Sequence, residues 1–426
     1  MSFNREVHMP GFCRSTSPDA LHETFTAACA AHADGHLAEA RQHYQFLLKH
    51  APASALVHYN IGLVYYDEAN YEQALAEFSL ADTLAPPDAD TLFNLAVCYK
   101  KVGDHQAAIA TYQRLLLLQP DDTDGHYNLG CCFRDVNDDD RAITCYRHTL
   151  TLCPTHLPAA RNLAYLYHRS EQIGLAIEYY SRVLDQQPED KAIAYLLAAL
   201  QGITPESAPD EYVRDFFDAY AQDFEHNLVD DLGYDNPRQL YDCLDRSSAR
   251  RDRFDHGLDL GCGTGLGGLV FQTLTATLDG VDLSARMLDQ AAAKGCYSRL
   301  HLDSILHHLR STSETYDLFL ATDVFIYVGD LLPVLTAARS ISRPAALFCF
   351  TTEHLENGTY RLLSTGRFAY SRSYIQDVAR QTGWQVLAQE SARLRRERDT
   401  WLLGDLWILR LAPPLSDQQS TLSVCT

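Results

Sequence analysis

The sequence predicts a two-domain chain, an all-α solenoid of repeated helix pairs followed by an α/β domain built on an open parallel sheet. Two observations carry that prediction. From Leu21 to Pro188 the residues repeat every 34 positions, the length of one helix–turn–helix unit. From Phe254 onward, short apolar runs alternate with helical stretches and several end in an acidic residue, the pattern of parallel strands joined by crossover helices.

At 426 residues the chain has room for two or three domains. Its formal charge is −21, and both halves are acidic, which argues against nucleic acid or anionic membranes as partners. The 12 cysteines show no C-x-x-C pair and no Cys/His cluster of zinc spacing, so they read as reduced, buried small residues and no metal is expected. Residues 1–20 form an N-terminal tail without an apolar signal core, and no segment is long and apolar enough to span a membrane. The expectation is a soluble, cytoplasmic protein.

The repeat region spans residues 21–202. Small residues recur at Ala28, Gly62, Ala96, Gly130 and Ala164, and aromatic ones at Tyr44, Phe78, Tyr112, Tyr146 and Tyr180. Each unit closes on a proline, at 52, 86, 120, 154 and 188. Small residues let paired helices approach, aromatics fill the space between them, and prolines stop each second helix. Five such units resemble the tetratricopeptide repeat (TPR). Ala192 to Leu200 continues the phase for one more helix, read as a cap on the open end. Asn60, Asn94, Asn128 and Asn162 recur two residues before the small position. In TPR proteins that face lines a groove, so the resemblance implies a protein or peptide partner held by an amide ladder. The alternative is that these amides bridge neighbouring repeats. Lysines are few in this region, which points to a neutral or basic segment as ligand.

Residues 203–209 read as a linker, with proline and serine replacing the apolar pattern. Apolar residues at 212, 213, 216, 217, 220, 221 and 224 then follow helical spacing. The run from Phe217 to Phe224 resembles the aromatic lid that precedes the core in many small-molecule methyltransferases, and it implies that Tyr220 and Phe224 fold over a cofactor.

The run FDHGLDLGCGTGLGGL, Phe254 to Leu269, reads as a buried strand, a glycine-rich turn and a helix. Such a turn brings backbone close to a ligand and aims free N–H groups at it. Gly263, Gly265 and Gly268 fit the dinucleotide-binding pattern. Asp259, Gly261, Gly263 and Gly265, with Cys262 between, fit the acid-x-G-x-G-x-G better. That second pattern resembles motif I of class I methyltransferases. It implies a Rossmann-like domain over residues 210–411, with S-adenosylmethionine as cofactor and Asp259 near its amino group. The next strand ends in Asp282, placed for two ribose hydroxyls, with Leu283 and Met287 in the following GVDLS-x-x-ML motif. Asp303 would face the adenine amino group and Asp323 the sulfonium end; the bland reading of both is helix capping.

Between the fifth strand, Ala345 to Thr351, and the next helix, aromatic and arginine residues crowd together. Arg361, Arg367 and Tyr370, with Tyr327 and His354, are the candidate substrate contacts, unless the segment is a β-ribbon packed on the lid. Thr400 to Leu411 is a long apolar strand, fitting the antiparallel hairpin that ends such sheets, and residues 412–426 read as a disordered tail. The whole is similar to TPR-containing methyltransferases with a UbiG/BioC-like catalytic domain. The resemblance implies methyl transfer to an acceptor it does not identify; a small molecule or carrier-bound acyl group is favoured. No catalytic residue can be named, because in-line displacement needs alignment more than a base. Two other readings remain open: a scaffold that binds the cofactor without turnover, and a protein methyltransferase guided by the groove.

Overall fold

A computed structural model of the chain describes residues 17–221, 224–397 and 400–413. Most of the expected N-terminal tail, and the tail beyond residue 413, lie outside the described residues. The chain forms two compact units, Met1–Gln186 and Gln187–Thr426.

The first unit is five helix pairs: α1 (Pro18–Ala33) and α2 (Leu37–His50), α3 (Ala55–Asp67) and α4 (Tyr71–Leu84), α5 (Ala89–Lys101) and α6 (His105–Leu118), α7 (Thr123–Asp135) and α8 (Asp139–Leu152), α9 (Leu157–Arg169) and α10 (Ile173–Gln186). Most starts are set by a capping side chain, such as Asp88 on α5, Asp104 on α6, Asp122 on α7 and Asp138 on α8. The small-to-aromatic pairing predicted from the period is the packing rule. A methyl group at Gly62 would lie 2.8 Å from the Phe78 ring, and one at Gly130 2.7 Å from the Tyr146 ring. The five recurring aromatics from Tyr44 to Tyr180 are all wholly buried.

The second unit opens with α11 (Lys191–Gln201), the helix read from sequence as the solenoid cap. Tyr195 is buried among core residues of the second unit, against Tyr212 and Phe368, and its hydroxyl donates to Gly366 O at 2.9 Å. The period revealed a helix with an apolar face; it did not say that an aromatic slot in the other unit would take that face. The expected linker is likewise structured. Glu206 O accepts from the amides of Gly329 and Asp330, and Ala208 N donates to Tyr327 O.

Next come α12 (Asp210–Tyr220), a π-helical turn (His226–Asp231) and α13 (Asn236–Arg246). The core follows: β1 (Phe254–Leu260), α14 (Leu266–Phe271), β2 (Thr275–Asp282), α15 (Ala285–Lys294), β3 (Arg299–Leu302), α16 (Ile305–Ser311), β4 (Tyr316–Ala321), α17 (Leu332–Ser340) and β5 (Ser342–His354). The chain closes with the ribbon β6 (Tyr360–Leu362) and β7 (Phe368–Tyr370), then α18 (Arg372–Gln381), β8 (Trp384–Glu397) and β9 (Thr400–Leu411). The sheet runs β3-β2-β1-β4-β5-β7-β6, with β9 antiparallel to β5 and β8. Strands β1 to β5 are mutually parallel, and order reverses between β1 and β4. In open sheets of this kind the ligand crevice forms at the strands' carboxyl ends, at that switch point. The expected fold class, a helical repeat unit followed by a Rossmann-like α/β unit, is the one observed.

Candidate functional site

A cavity of about 720 Å³ opens at the carboxyl ends of β1, β2 and β4, a size that suits small-molecule sites. Its floor is the turn after β1. Gly261 lies so close to Val324 that a Cβ would sit 2.2 Å from Cγ2, whereas a Cβ on Gly263 would meet nothing within 4 Å. Both glycines have positive φ, +66° and +52°, where other residues are strained. Gly261 is therefore needed for packing, and Gly263 faces open space.

Asp282, at the tip of β2, accepts Gly263 N–H at 2.8 Å and Ser284 N–H at 2.9 Å. Burial raises its pKa, against those backbone donors. Leu283, Met287, Cys262 and Asp303 also line the cavity. Asp303 accepts from His307 Nδ1 and from Ser304 N, while Ser304 itself caps α16. The Thr264 hydroxyl, on the cavity wall, is buried with no hydrogen-bond partner. An orphaned donor beside open backbone is what a polar ligand would satisfy.

Asp259 and Gly265 stand behind this wall. Asp259 is 1 % exposed, accepts from Tyr297 Oη at 2.7 Å, and its other oxygen has no partner. Burial drives its pKa up to about 7, opposed by Tyr297 and assisted by Asp282. Tyr297 also accepts Gly268 N–H at 3.0 Å, so it ties the start of α14 to Asp259.

The lid lies over the cavity. Phe216, Phe217, Tyr220 and Phe224 all line it, and Phe217 stands edge-on to Phe224 and to Tyr327. Residues 222 and 223 of the aromatic signature lie outside the described residues. Polar contacts with α15 hold the lid. Ser284 Oγ donates to Asp218, Gln290 Nε2 donates to Ala221 O at 2.6 Å, and Lys294 bridges Glu225 and Thr264 O.

Beside the cavity runs a chain of charged side chains, of which Glu353 and Arg395 are buried. Arg395 donates to Asp323 and to Glu353, and Arg367 donates to Glu353 and Glu397. Of these, Asp323, Arg367 and Arg395 line the cavity, beside the phenols of Tyr234 and Tyr327. Burial raises the pKa of Glu353 and of both phenols.

The remaining substrate candidates stand apart. His354 is hydrogen-bonded to the buried Asp405 at 2.8 Å, the Tyr370 hydroxyl donates to Phe325 O, and Arg361 is exposed on β6; none lines the cavity. The β-ribbon alternative describes this segment, since β6 and β7 pair antiparallel and β7 joins β5. Sequence reasoning missed Arg395, Tyr234, Glu353 and Tyr297. Arg395 lies in a charged stretch of β8, and nothing local in its sequence marks it as a site residue.

In the first unit the asparagine amides are used internally. Asn60 donates to Leu56 O, Asn94 to Asp90 O and Tyr59 Oη, Asn128 to Asp124 O, and Asn162 to Tyr146 Oη. Asn94 and Asn162 thereby join successive repeats. No group of three or more His, Cys, Asp or Glu among the described residues is placed to hold a metal ion, and none of the described helices is long and apolar enough to cross a membrane.

Comparison with known families accords with this geometry. A methyltransferase domain family matches residues 258–345, and TPR families match 25–89, 89–122, 126–156 and 162–190. The chain joins tetratricopeptide repeats to a methyltransferase domain. The human methyltransferase-like protein 27 is 34% identical over 142 residues, which is 32% of this chain and 56% of that protein. The chain thus spans about half the length of that relative. Among solved structures, MamA aligns over 38% of this chain and 95% of its own, at 22% identity and a TM-score of 0.37. YrrB, a TPR protein reported with an unusual peptide-binding site, aligns over 40% and 89%, at 22% identity and a TM-score of 0.38.

Proposed function

We propose that the second unit is an S-adenosylmethionine-dependent methyltransferase and that the repeats recruit a protein partner or substrate. The observation that carries this reading is the open backbone at Gly263, flanked by Asp282 and by the unpartnered Thr264 hydroxyl. In this reading the turn from Gly261 to Thr264 holds the amino-acid part of the cofactor. Asp282 takes the ribose hydroxyls, Leu283 and Met287 flank the adenine, and Asp303 faces its amino group. When bound, the cofactor supplies an electrophilic methyl group on a sulfonium centre. The lining suits a cation, since six carboxylates face two guanidiniums.

The chain's own residues act by positioning. The lid aromatics exclude water, and Tyr234 and Tyr327 offer hydroxyls that orient an acceptor. No histidine is among the described residues lining the cavity, and Asp323 is already engaged by Arg395. An acceptor oxygen that is already anionic needs no base. That favours a carboxylate on a small molecule or carrier-bound acyl group, docked near Arg367 and Arg395.

Calorimetry with S-adenosylmethionine, S-adenosylhomocysteine and NAD, on the wild type and on Asp282→Ala, tests the reading. Binding of both adenosyl compounds that the substitution removes is the expected result. Binding of NAD alone, or of none of the three, would overturn it.

A further inference from the structure

The first unit carries a second concavity of about 660 Å³, formed by α8 and α10 with the start of α7. Its chemistry runs against that of the chain. In a protein of net charge −21, the lining includes His126, Arg147, His148 and Arg182 and no acidic residue. Other arginines of this unit are neutralised by neighbours: Arg41 by Glu68, Arg114 by Asp82, Arg134 by Asp135, and Arg141 by Asp138. Arg147 is exposed and makes no ion pair among the described residues. Among the described residues, Arg182 meets the Pro154 carbonyl and the Tyr179 ring, 5.0 Å from its centroid, and no carboxylate.

Two bland explanations fail. Basic side chains often offset the negative end of a helix, but neither α8 nor α10 has a basic residue in its last turn. Nor do nearby acids serve these arginines: Asp122, the acid beside His126, caps α7 through Gly125 N at 2.6 Å. The floor is apolar, with Leu129, Cys145 and Leu150 buried beneath the cations. It also lies mainly on second helices, whereas the asparagine ladder runs along first helices.

We propose that this concavity binds an acidic protein segment, with carboxylate side chains on Arg147 and Arg182 and an apolar side chain against Leu129 and Leu150. Unpaired cations over an apolar floor match such a segment in charge and shape. The inference is independent of what the second unit catalyses.

The test is fluorescence anisotropy of a labelled glutamate-rich peptide with one central phenylalanine, titrated with the full chain at low salt. Replacing its glutamates by glutamine is expected to weaken binding at least about tenfold. Arg147→Glu/Arg182→Glu is expected to abolish binding with the chain still folding cooperatively, since Arg147 is exposed and the half-buried Arg182 gives up only its contacts with Pro154 O and the Tyr179 ring. A lysine-rich counterpart should bind that variant better than the wild type. No binding to the wild type, or equal binding by the variant, would overturn the proposal. So would self-association of the wild type that the variant loses, because the site would then belong to a second copy.

Discussion

Arg395, near the end of β8, donates one guanidinium nitrogen to both carboxylate oxygens of Asp323, at 2.5 and 2.6 Å. The pair ties the last hairpin to the loop that leaves β4. Asp323 has a φ of +57°, which costs a non-glycine residue about 1–2 kcal/mol, and Arg395 together with the Thr351 hydroxyl on Asp323 N–H holds it there. The other guanidinium nitrogen reaches Glu353, which is 1 % exposed. Arg395→Met would leave the half-buried Asp323 without its cation and the buried Glu353 with Arg367 alone. It is expected to lower stability by about 3–5 kcal/mol, read by urea denaturation, and adding Asp323→Asn should recover part of that loss. An unchanged midpoint in Arg395→Met would mean the pair contributes nothing net.

The glycine turn separates packing from binding. Gly261→Ala drives a Cβ into Val324 and is expected to lower the melting temperature sharply. At Gly263 the added methyl group meets only open space. Gly263→Ala should cost only about 1–2 kcal/mol of backbone strain, yet weaken S-adenosylhomocysteine binding at least about tenfold because it fills the ligand's space. If Gly263→Ala bound the compound as the wild type does, the ligand would have to lie elsewhere.

These two sites differ in how visible they were from sequence. The glycine turn and Asp282 lie within one strand–turn–helix–strand unit, so local pattern and chemistry coincide and spacing reveals both. The repeats were legible for the same reason, each position being packed by its own copy of the period. The charge chain was not, because its partners come from distant strands. Arg395 stands 72 residues from Asp323, and His354 is claimed by Asp405, 51 residues away. Tyr297, which meets Asp259 from 38 residues downstream, carries no local signal of its role. The packing of α11 was hidden too, since periodicity reports an apolar face but not the surface that covers it.

The repeats hold a recurring strain. The turn inside each pair places one residue at positive φ, and that residue is Gly35, Ala69, Gly103, Asn137 and Glu171 in turn, 34 positions apart. Glycine adopts this conformation freely; alanine and glutamate do not. Ala69 is exposed and Glu171 is at a surface turn, so truncation at either loses little packing. Ala69→Gly is expected to stabilise the first unit by up to about 1 kcal/mol, the entropy of a freer unfolded chain offsetting part of the gain. Thermal unfolding followed by circular dichroism checks this, and a lower melting temperature would show that the Cβ packs usefully.

Asp259 makes the second unit's stability depend on pH. Its carboxyl holds a proton more tightly in the folded chain, at about 7 against an ordinary 3.8, chiefly because burial disfavours the charged form. Between those values the folded chain is protonated and the unfolded chain is not, so stability falls as pH rises through that window. It is flat below about pH 4, where both forms carry the proton, and flat again above the folded value. The full swing is on the order of 4 kcal/mol. Asp259→Asn cannot ionise, so the stability difference between wild type and variant should move against the wild type from pH 4 to 8. A cationic ligand bound nearby would favour the carboxylate and shrink that swing. Denaturation across this range, with and without S-adenosylmethionine, separates the two effects. A difference that does not vary with pH would mean that the Asp259 carboxyl keeps an ordinary pKa in the folded chain.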